Sequence, residues 1–185
     1  PNFPVDTWWD IGVGDSTAIW FTQSVGREVH CVDYLEASGE GVGFFAKELQ
    51  KKPYVYATHN GPADLEVREW GNSASGKPVT RIDAARQLGI KFQIVPAVGL
   101  EDGIDVARSF LSRCWFDKEK CAKGLNALQS YHKAYDDKMK DFKSHPQHDW
   151  SSHGADAFRY LAVGHKVTVA KAKPKPLDIP IGWNA

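Results

Sequence analysis

Three aspartates occupy positions from which their carboxylates can meet. Asp10 lies in the first predicted strand, Asp64 follows the fourth, and Asp156 is near the start of the last predicted helix. If the first and fourth strands are neighbours, Asp10 and Asp64 meet at one sheet edge, and a helix over that edge adds Asp156. Carboxylates this close repel one another, so the cluster needs hard divalent cations, with Mg²⁺ or Mn²⁺ favoured. Two such ions could clamp an in-line phosphoryl displacement, but twenty-three acidic residues offer many triples, so spacing alone is a weak signal for this site.

The segment 149–161 is expected to place Asp156. Ser151 or Ser152 can cap a helix here, and its expected buried face is Ala155, Phe158, Leu161 and Ala162. Asp156 would then lie on the first turn, close to that apolar face. A carboxylate there must be hydrogen-bonded, paired or bound to a cation, because leaving it desolvated and alone costs several kcal/mol. The alternative is an aspartate stabilised only by the helix dipole and solvent.

The spacing of apolar residues predicts the elements that hold these aspartates. Predicted strands are 5–14, 17–25, 27–37, 55–58 and 92–95, and predicted helices are 42–52, 82–88, a helical region 103–143 and the last helix. The region 103–143 breaks near Phe116, where Asp117 can cap a second helix. This order predicts an α/β fold with a mixed sheet flanked by helices, the first three strands antiparallel and the fourth next to the first. It resembles the order of the ribonuclease H-like fold.

Chain length and composition predict one packed domain over 1–164, followed by a tail over 165–185. The 185 residues include seven Trp, six Tyr and nine Phe, which suit a substantial core. The tail alternates Lys with Pro, which favours a mobile basic segment that the fold does not need. The chain begins with Pro1, so we expect a fragment or processed product with a domain upstream.

Because the net charge is balanced, any contact with nucleic acid must come from a local basic patch. Twenty-three basic residues balance twenty-three acidic ones, so no global field draws the domain to DNA or to a membrane. Arg68, Lys77 and Arg81 surround a glycine-serine loop and are candidate DNA-phosphate contacts, the alternative being a solvated loop. The loop resembles a P-loop, but Pro78 replaces the required Ser or Thr, so no nucleotide site is predicted. No run approaches the ~18 apolar residues of a membrane span.

Cysteines and tryptophans are expected to be structural. Cys31, Cys114 and Cys121 have no paired spacing and favour reduced thiols. A zinc site using Cys114, Cys121 and His132 is the weaker alternative, because no CxxC or HxxxH spacing supports it. Most tryptophans are expected to pack in the core or at its rim.

Three segments carry a family resemblance. They are Asp-Ile-Gly-Val-Gly-Asp-Ser-Thr-Ala from Asp10, Gly-Pro-Ala-Asp-Leu-Glu-Val-Arg-Glu from Gly61, and Ser-His-Gly-Ala-Asp-Ala-Phe-Arg-Tyr from Ser152. In this order they resemble the nuclease domain of the large terminase subunit of tailed bacteriophages, a ribonuclease H-like domain. The resemblance extends to about Gly164. It implies an endonuclease that cuts concatemeric viral double-stranded DNA during genome packaging.

By motif match, the resemblance gives Asp10, Asp64 and Asp156 as metal ligands. Asp15 is a candidate for reaching the site through water. His153 is a candidate proton shuttle or DNA contact, the alternative being an ordinary surface or core histidine. The chain has Pro62-Ala63-Asp64 where the family often has Pro-His-Asp, so the histidine's role is absent or taken by His59.

The resemblance also implies cofactors, partners and location. It implies Mg²⁺ or Mn²⁺, two ions with DNA bound, and double-stranded DNA as substrate. Expected partners are an ATPase motor domain ahead of this chain, the portal or procapsid, and the small terminase subunit, in the host cell cytoplasm and without a membrane. Two rivals stay open: another ribonuclease H-like nuclease such as a junction resolvase, and an inactive DNA-binding or motor-docking module. Acidic residues at all three matched positions count against the inactive module.

Overall fold

A mixed β-sheet with helices on both faces forms the centre of the molecule. The computed structural model describes residues 3–12, 15–66, 69–72 and 78–171. Its strands are β1 (Val5–Ile11), β2 (Ser16–Val25), β3 (Glu28–Ser38), β4 (Tyr56–Gly61), β5 (Glu69–Asn72), β6 (Pro78–Thr80), β7 (Phe92–Ile94), β8 (Cys114–Phe116), β9 (Lys133–Asp136) and β10 (Asp141–Pro146). Its helices are α1 (Val42–Lys51), α2 (Arg81–Gln87), α3 (Leu100–Leu111), α4 (Ala122–Ser130) and α5 (Trp150–Lys171). A short 3₁₀ helix spans Ala63–Glu66.

The main sheet has the strand order β7-β4-β1-β2-β3-β8. Strands β1, β2 and β3 form the antiparallel meander that the sequence predicts, and β4 pairs with β1 in parallel, with Trp8 opposite Asn60. The fold class and the neighbouring positions of the first and fourth strands are therefore confirmed. Because β1 and β4 run parallel, this order brings Asp10, near the end of β1, and the segment after β4 to the same end of the sheet.

Side chains that alternate along β1 point to opposite faces of the sheet and belong to two hydrophobic cores. Trp8 belongs to the core under α3, α4 and α5, and Trp9 to the core under α1 and α2. We call these sides the α5 face and the α1 face. Because neighbouring side chains on a strand point to opposite faces, Asp10 shares the α5 face with Trp8.

Helix α5 approaches the sheet closely where it carries glycine. A Cβ at Gly154 would lie 2.7 Å from the Tyr34 hydroxyl and 2.8 Å from Ala127 Cβ. A Cβ at Gly164 would lie 2.4 Å from the Trp8 ring. Between these points the predicted helix face is confirmed, since Phe158, Leu161 and Ala162 are buried. Two glycines thus set the height of α5 above β1 and β2.

The helical prediction for 103–143 is wrong in its second half. Strand β8 forms at the expected break, and Asp117 Oδ1 accepts the backbone N–H groups of Glu119 and Lys120 ahead of α4. Residues 133–146 form the β9–β10 hairpin, because Tyr135 pairs with Phe142 across the strands and Asp136 Oδ1 accepts the N–H groups of its turn. Local turn chemistry there outweighs the helical spacing of apolar residues.

Residue 165, where the sequence predicts the start of a tail, lies inside helix α5. The helix continues to Lys171, and His165 is buried, 3.2 Å from the Ser24 hydroxyl and against the Phe110 ring. Helix α5 therefore runs through the predicted boundary after Gly164, and residues 172–185 lie outside the described ranges. No helix among the described residues is long and apolar enough to cross a membrane.

Cysteines and tryptophans largely follow expectation. Cys31, Cys114 and Cys121 are free thiols, the first and last of them buried. Trp8, Trp9 and Trp20 are buried, whereas Trp115 and Trp150 are exposed.

Candidate active site

Asp10 is a largely but not fully buried carboxylate near the end of β1, on the α5 face. Its side chain is 17% exposed. Burial raises the pKa of Asp10 above its ordinary value; the negative charge of Asp156 raises it further, while His153 and Arg159 lower it. Asp10, Asp156 and Arg159 are therefore electrostatic neighbours. A carboxylate in this position needs a positive partner to stay ionised.

His153 lies between two acids from different parts of the β1–β2 region. Its Nδ1 is 3.4 Å from Asp10 Oδ2, and its Nε2 is 3.1 Å from Asp15 Oδ1. The hydrogen bond to Asp10 raises the pKa of His153, although burial acts in the other direction. His148 Nε2 is 3.7 Å from the other oxygen of Asp15. The structure thus brings His153 next to Asp10, and Asp15 is joined to the same place through the other ring nitrogen of His153.

Asp156 is paired with an arginine one turn later on α5. Arg159 donates from Nε and Nη2 to Asp156 Oδ1, at 3.1 and 2.9 Å. Its side chain is 13% exposed and its guanidinium lies 4.8 Å from the centre of the Tyr160 ring. The sequence analysis missed Arg159, although the i,i+3 spacing of Asp156 and Arg159 on a predicted helix is a usable signal.

Buried hydrogen bonds fix the start of α5. Asp149 Oδ1 accepts the Ser151 N–H at 2.8 Å, so Asp149 caps the helix, and the prediction of Ser151 or Ser152 as cap is wrong. Asp156 consequently lies on the second turn and not the first. The Trp20 indole N–H donates to the Gly154 carbonyl at 2.9 Å. Because Gly154 stands between His153 and Asp156, this bond from β2 positions both.

Glu36 is a further buried acid on the α5 face that the sequence analysis missed. Ala18 pairs with Asp10 on one side and with Glu36 on the other, so the two acids lie in one cross-strand row. The Glu36 side chain is 6% exposed; it accepts from the Tyr34 hydroxyl at 2.6 Å and pairs with Lys123 at 3.2 Å. These contacts satisfy Glu36 and tie α4 to the sheet beside His153.

Asp64 lies in the 3₁₀ helix that follows β4. It is half-buried and lines a pocket of about 260 Å³ with Val95, Arg159 and Tyr160. Asp156 lines a neighbouring cleft of about 330 Å³ with Arg159, Tyr131 and Arg108. Arg159 borders both spaces.

The donor groups suit a hard divalent cation, but they are not assembled around one. Across the described ranges, no three His, Cys, Asp or Glu side chains form a ready-made metal site. Asp10 and Asp156 nevertheless supply carboxylate oxygens, and the burial of Asp10 beside a second negative charge favours a cation. Mg²⁺ accepts one or two carboxylates and keeps several waters, so these residues fit a weakly held ion.

Two residues with predicted roles lie elsewhere. His59 packs against Trp9 and Tyr56 on the α1 face, with Nδ1 2.7 Å from the Thr7 hydroxyl, so it does not take the place of the family histidine near Asp10. Arg81 is 3% exposed and donates to the Ile11 carbonyl, so it supports the end of β1 and is not a surface contact for phosphate. Arg68 and Lys77 lie outside the described residues, as does the glycine-serine loop 73–77.

Comparison with solved structures gives the fold. The nuclease domain of the large terminase g2p from bacteriophage SPP1, solved with bound Mn, has a TM-score of 0.65 at 16% identity, over 90% of this chain and 88% of that chain. The P22 large terminase nuclease domain has a TM-score of 0.63 at 14% identity, over 89% and 82%. The large terminase of the thermophilic bacteriophage D6E, in complex with ADP, has a TM-score of 0.64 at 16% identity.

The coverage differs between these structures. The match to the D6E protein spans 88% of this chain and only 39% of that one. No family model matches the sequence, and no curated protein matches it significantly. At these identities the likeness establishes that the chain has the fold of large terminase nuclease domains.

Proposed function

We propose that this chain is the nuclease domain of a large terminase subunit, a divalent-metal-dependent endonuclease that cuts concatemeric viral double-stranded DNA during packaging. One observation carries the proposal: in a chain with this fold, α5 places His153 3.4 Å from Asp10, a largely buried carboxylate whose pKa is raised by burial and by the charge of Asp156. The three acidic segments noted in the sequence support the same assignment.

The proposed roles differ among the three aspartates and His153. Asp10 and Asp156 would hold a divalent ion, and Asp64, the third motif-matched ligand, lies beyond Arg159 in the neighbouring pocket. When bound, Mg²⁺ or Mn²⁺ supplies activation of water and stabilisation of the leaving oxygen. His153 orients Asp10 and Asp15 by its two ring nitrogens, as groups behind metal ligands do. We expect two ions only with DNA present, since the phosphate supplies ligands that the protein lacks.

Plasmid cleavage tests the proposal. We expect nicking and linearisation with Mg²⁺ or Mn²⁺, at least as much with Mn²⁺, which tolerates distorted geometry, and little with Ca²⁺. Replacement of Asp10, Asp64 or Asp156 by Asn should reduce cleavage by orders of magnitude, because each change removes a charged ligand. Cleavage that persists in EDTA, or an Asp156→Asn variant that cuts like the parent, contradicts the mechanism.

Substrate preference tests the rival nuclease assignment. A terminase nuclease should cut linear and supercoiled duplexes without needing a branch. Strong preference for four-way junctions over duplex of the same sequence would instead favour a junction resolvase. We further propose a packaging ATPase domain, the small terminase subunit and the portal as partners, which co-purification of the longer protein with each would test.

A further inference from the structure

Arg159 is the cation of the acidic cluster. It forms two hydrogen bonds to one oxygen of Asp156, and its charge lowers the pKa of Asp10. It also lines the pocket that contains Asp64. One guanidinium therefore pairs with Asp156 and acts electrostatically on Asp10, and its residue borders the pocket that contains Asp64.

The surrounding chain builds a place for this side chain. A Cβ at Gly103 on α3 would lie 2.8 Å from Arg159 Cδ, so the glycine provides the room in which the side chain lies. The Tyr160 ring packs on the guanidinium, and burial raises the pKa of Tyr160 to about 12, so the ring stays neutral. These contacts hold the Arg159 guanidinium in a fixed position, whereas the guanidinium of an exposed arginine is mobile and solvated.

We propose that Arg159 is the counter-cation of Asp156, and that a divalent ion held by Asp10 and Asp156 competes with it. The inference rests on the proposed function and concerns how its metal site is controlled. Two positive charges cannot share Asp156 at close range without repulsion, so the guanidinium and the ion compete.

The competition gives Arg159 an effect opposite to that of a supporting residue. Removing a residue that only orients metal ligands weakens metal binding about 10–100-fold. Removing a competitor tightens it. In Arg159→Gln, Mn²⁺ affinity should rise by about tenfold, the order of one close charge interaction. Without added metal the variant should melt at a lower temperature, because Asp156 then lacks its cation, and added Mn²⁺ should restore most of the loss.

Arg108→Gln is the matched control. Arg108 forms the same i,i+3 pair with Asp105 on α3 and lines the same cleft, but its side chain is 70% exposed. It should leave Mn²⁺ affinity and the metal-free melting temperature near the parent values. Arg159→Lys retains the charge with a less rigid set of donors, so it should fall between the parent and Arg159→Gln in both measurements.

The measurements are Mn²⁺ titration by calorimetry, thermal melts with and without Mn²⁺, and the Mn²⁺ concentration for half-maximal plasmid cleavage, all with the 185-residue chain. In Asp156→Asn the same Arg159→Gln change should cost less stability than in the parent. The inference is overturned if Arg159→Gln binds Mn²⁺ no tighter than the parent, or if neither protein binds it. If the parent binds Mn²⁺ but does not cut DNA, the nuclease proposal fails, while affinities and melts still decide the role of Arg159.

Discussion

Asp10 and Asp33 are carboxylates buried on the same six-stranded sheet, and they differ in face and in partners. Asp33, with a side chain 10% exposed, lies on the α1 face and accepts from Lys52 at 2.5 Å and from the Tyr54 hydroxyl at 3.1 Å. Asp10, 17% exposed, lies on the α5 face beside His153 and the negative Asp156. The first carboxylate is neutralised by its own lysine, and the second lies in a cluster with surplus negative charge.

This difference is what we expect between a structural charge, Asp33, and the proposed functional one, Asp10. A buried ion pair with full hydrogen bonding holds its neighbours in place and offers nothing to a ligand. A buried carboxylate beside a second carboxylate is costly, and such groups recur at active sites. The α1 face therefore stabilises the sheet, while the α5 face positions the residues that we assign to catalysis.

The largest expected effect comes from replacing each of these aspartates by Asn. Asp10→Asn should lose DNA cleavage by orders of magnitude and melt at the parent temperature or above, because repulsion from Asp156 is relieved. Asp33→Asn should lose about 3 kcal/mol of unfolding free energy, because Lys52 keeps a largely buried charge without its partner. Its folded fraction should cut at the parent rate.

Urea unfolding of both variants beside plasmid cleavage makes this comparison. An Asp10→Asn protein that is strongly destabilised would show that Asp10 has a structural role like that of Asp33. The distinction between the two faces would then be lost.

Glycines on helices of the two faces give a smaller and equally direct test. Gly154→Ala on α5 should cost about 1–3 kcal/mol, because its Cβ would overlap the Tyr34 hydroxyl and Ala127. It should also weaken Mn²⁺ binding by shifting His153 and Asp156. Gly43→Ala on α1 meets only Leu88 Cδ1 at 4.0 Å, so it should be neutral or up to about 1 kcal/mol more stable.

Thermal melts and Mn²⁺ titration of the two glycine variants are the measurement. The combination of Gly154→Ala with Ala127→Gly and Tyr34→Phe should recover part of the loss, since both changes restore space. If Gly154→Ala binds Mn²⁺ like the parent, close packing at Gly154 does not position the site.

The smallest expected effect is a loss of stability at acid pH, and here a buried histidine on each face should act in the same direction. Burial lowers the pKa of His165 on the α5 face, with Arg113 adding to the effect, and burial lowers the pKa of His59 on the α1 face. Each histidine binds its proton more readily in the unfolded chain. Their contribution is complete above the ordinary value of 6.5 and is lost as pH falls from there toward the folded pKa.

Unfolding free energy measured between about pH 7.5 and 5 should therefore decrease, and His165→Gln should flatten part of that decrease. His153 acts in the opposite sense because its pKa is raised, so the comparison is made between parent and His165→Gln and not from the parent slope alone. An unchanged slope in His165→Gln would show that the end of α5 does not bury a neutral histidine.

Much of the fold could be predicted because its signals are local. Alternating apolar residues along β1, β2 and β3 predicted the meander, and the small, flanked apolar run at β4 predicted its neighbour. The hairpin at 133–146 and the extension of α5 past Gly164 were not predicted. In the hairpin, the pairing of Tyr135 with Phe142 depends on contacts that helical spacing does not reveal. In α5, His165 is held by Ser24 and Phe110, which are distant in sequence.

The sequence by itself determined the chemistry of the candidate site: the acids Asp10, Asp64 and Asp156, and the supporting residues Asp15 and His153, all lie in motifs that can be read along the chain. Only the tertiary structure decided the charge balance around them. Arg159 pairs with Asp156, and Glu36 is joined to Lys123, because α4 and α5 pack on one face of the sheet. Arg81 is buried against the end of β1 because α2 packs on the other face. Electrostatic energy depends on distance and on exclusion of water, and both are set by the fold and not by position in the sequence.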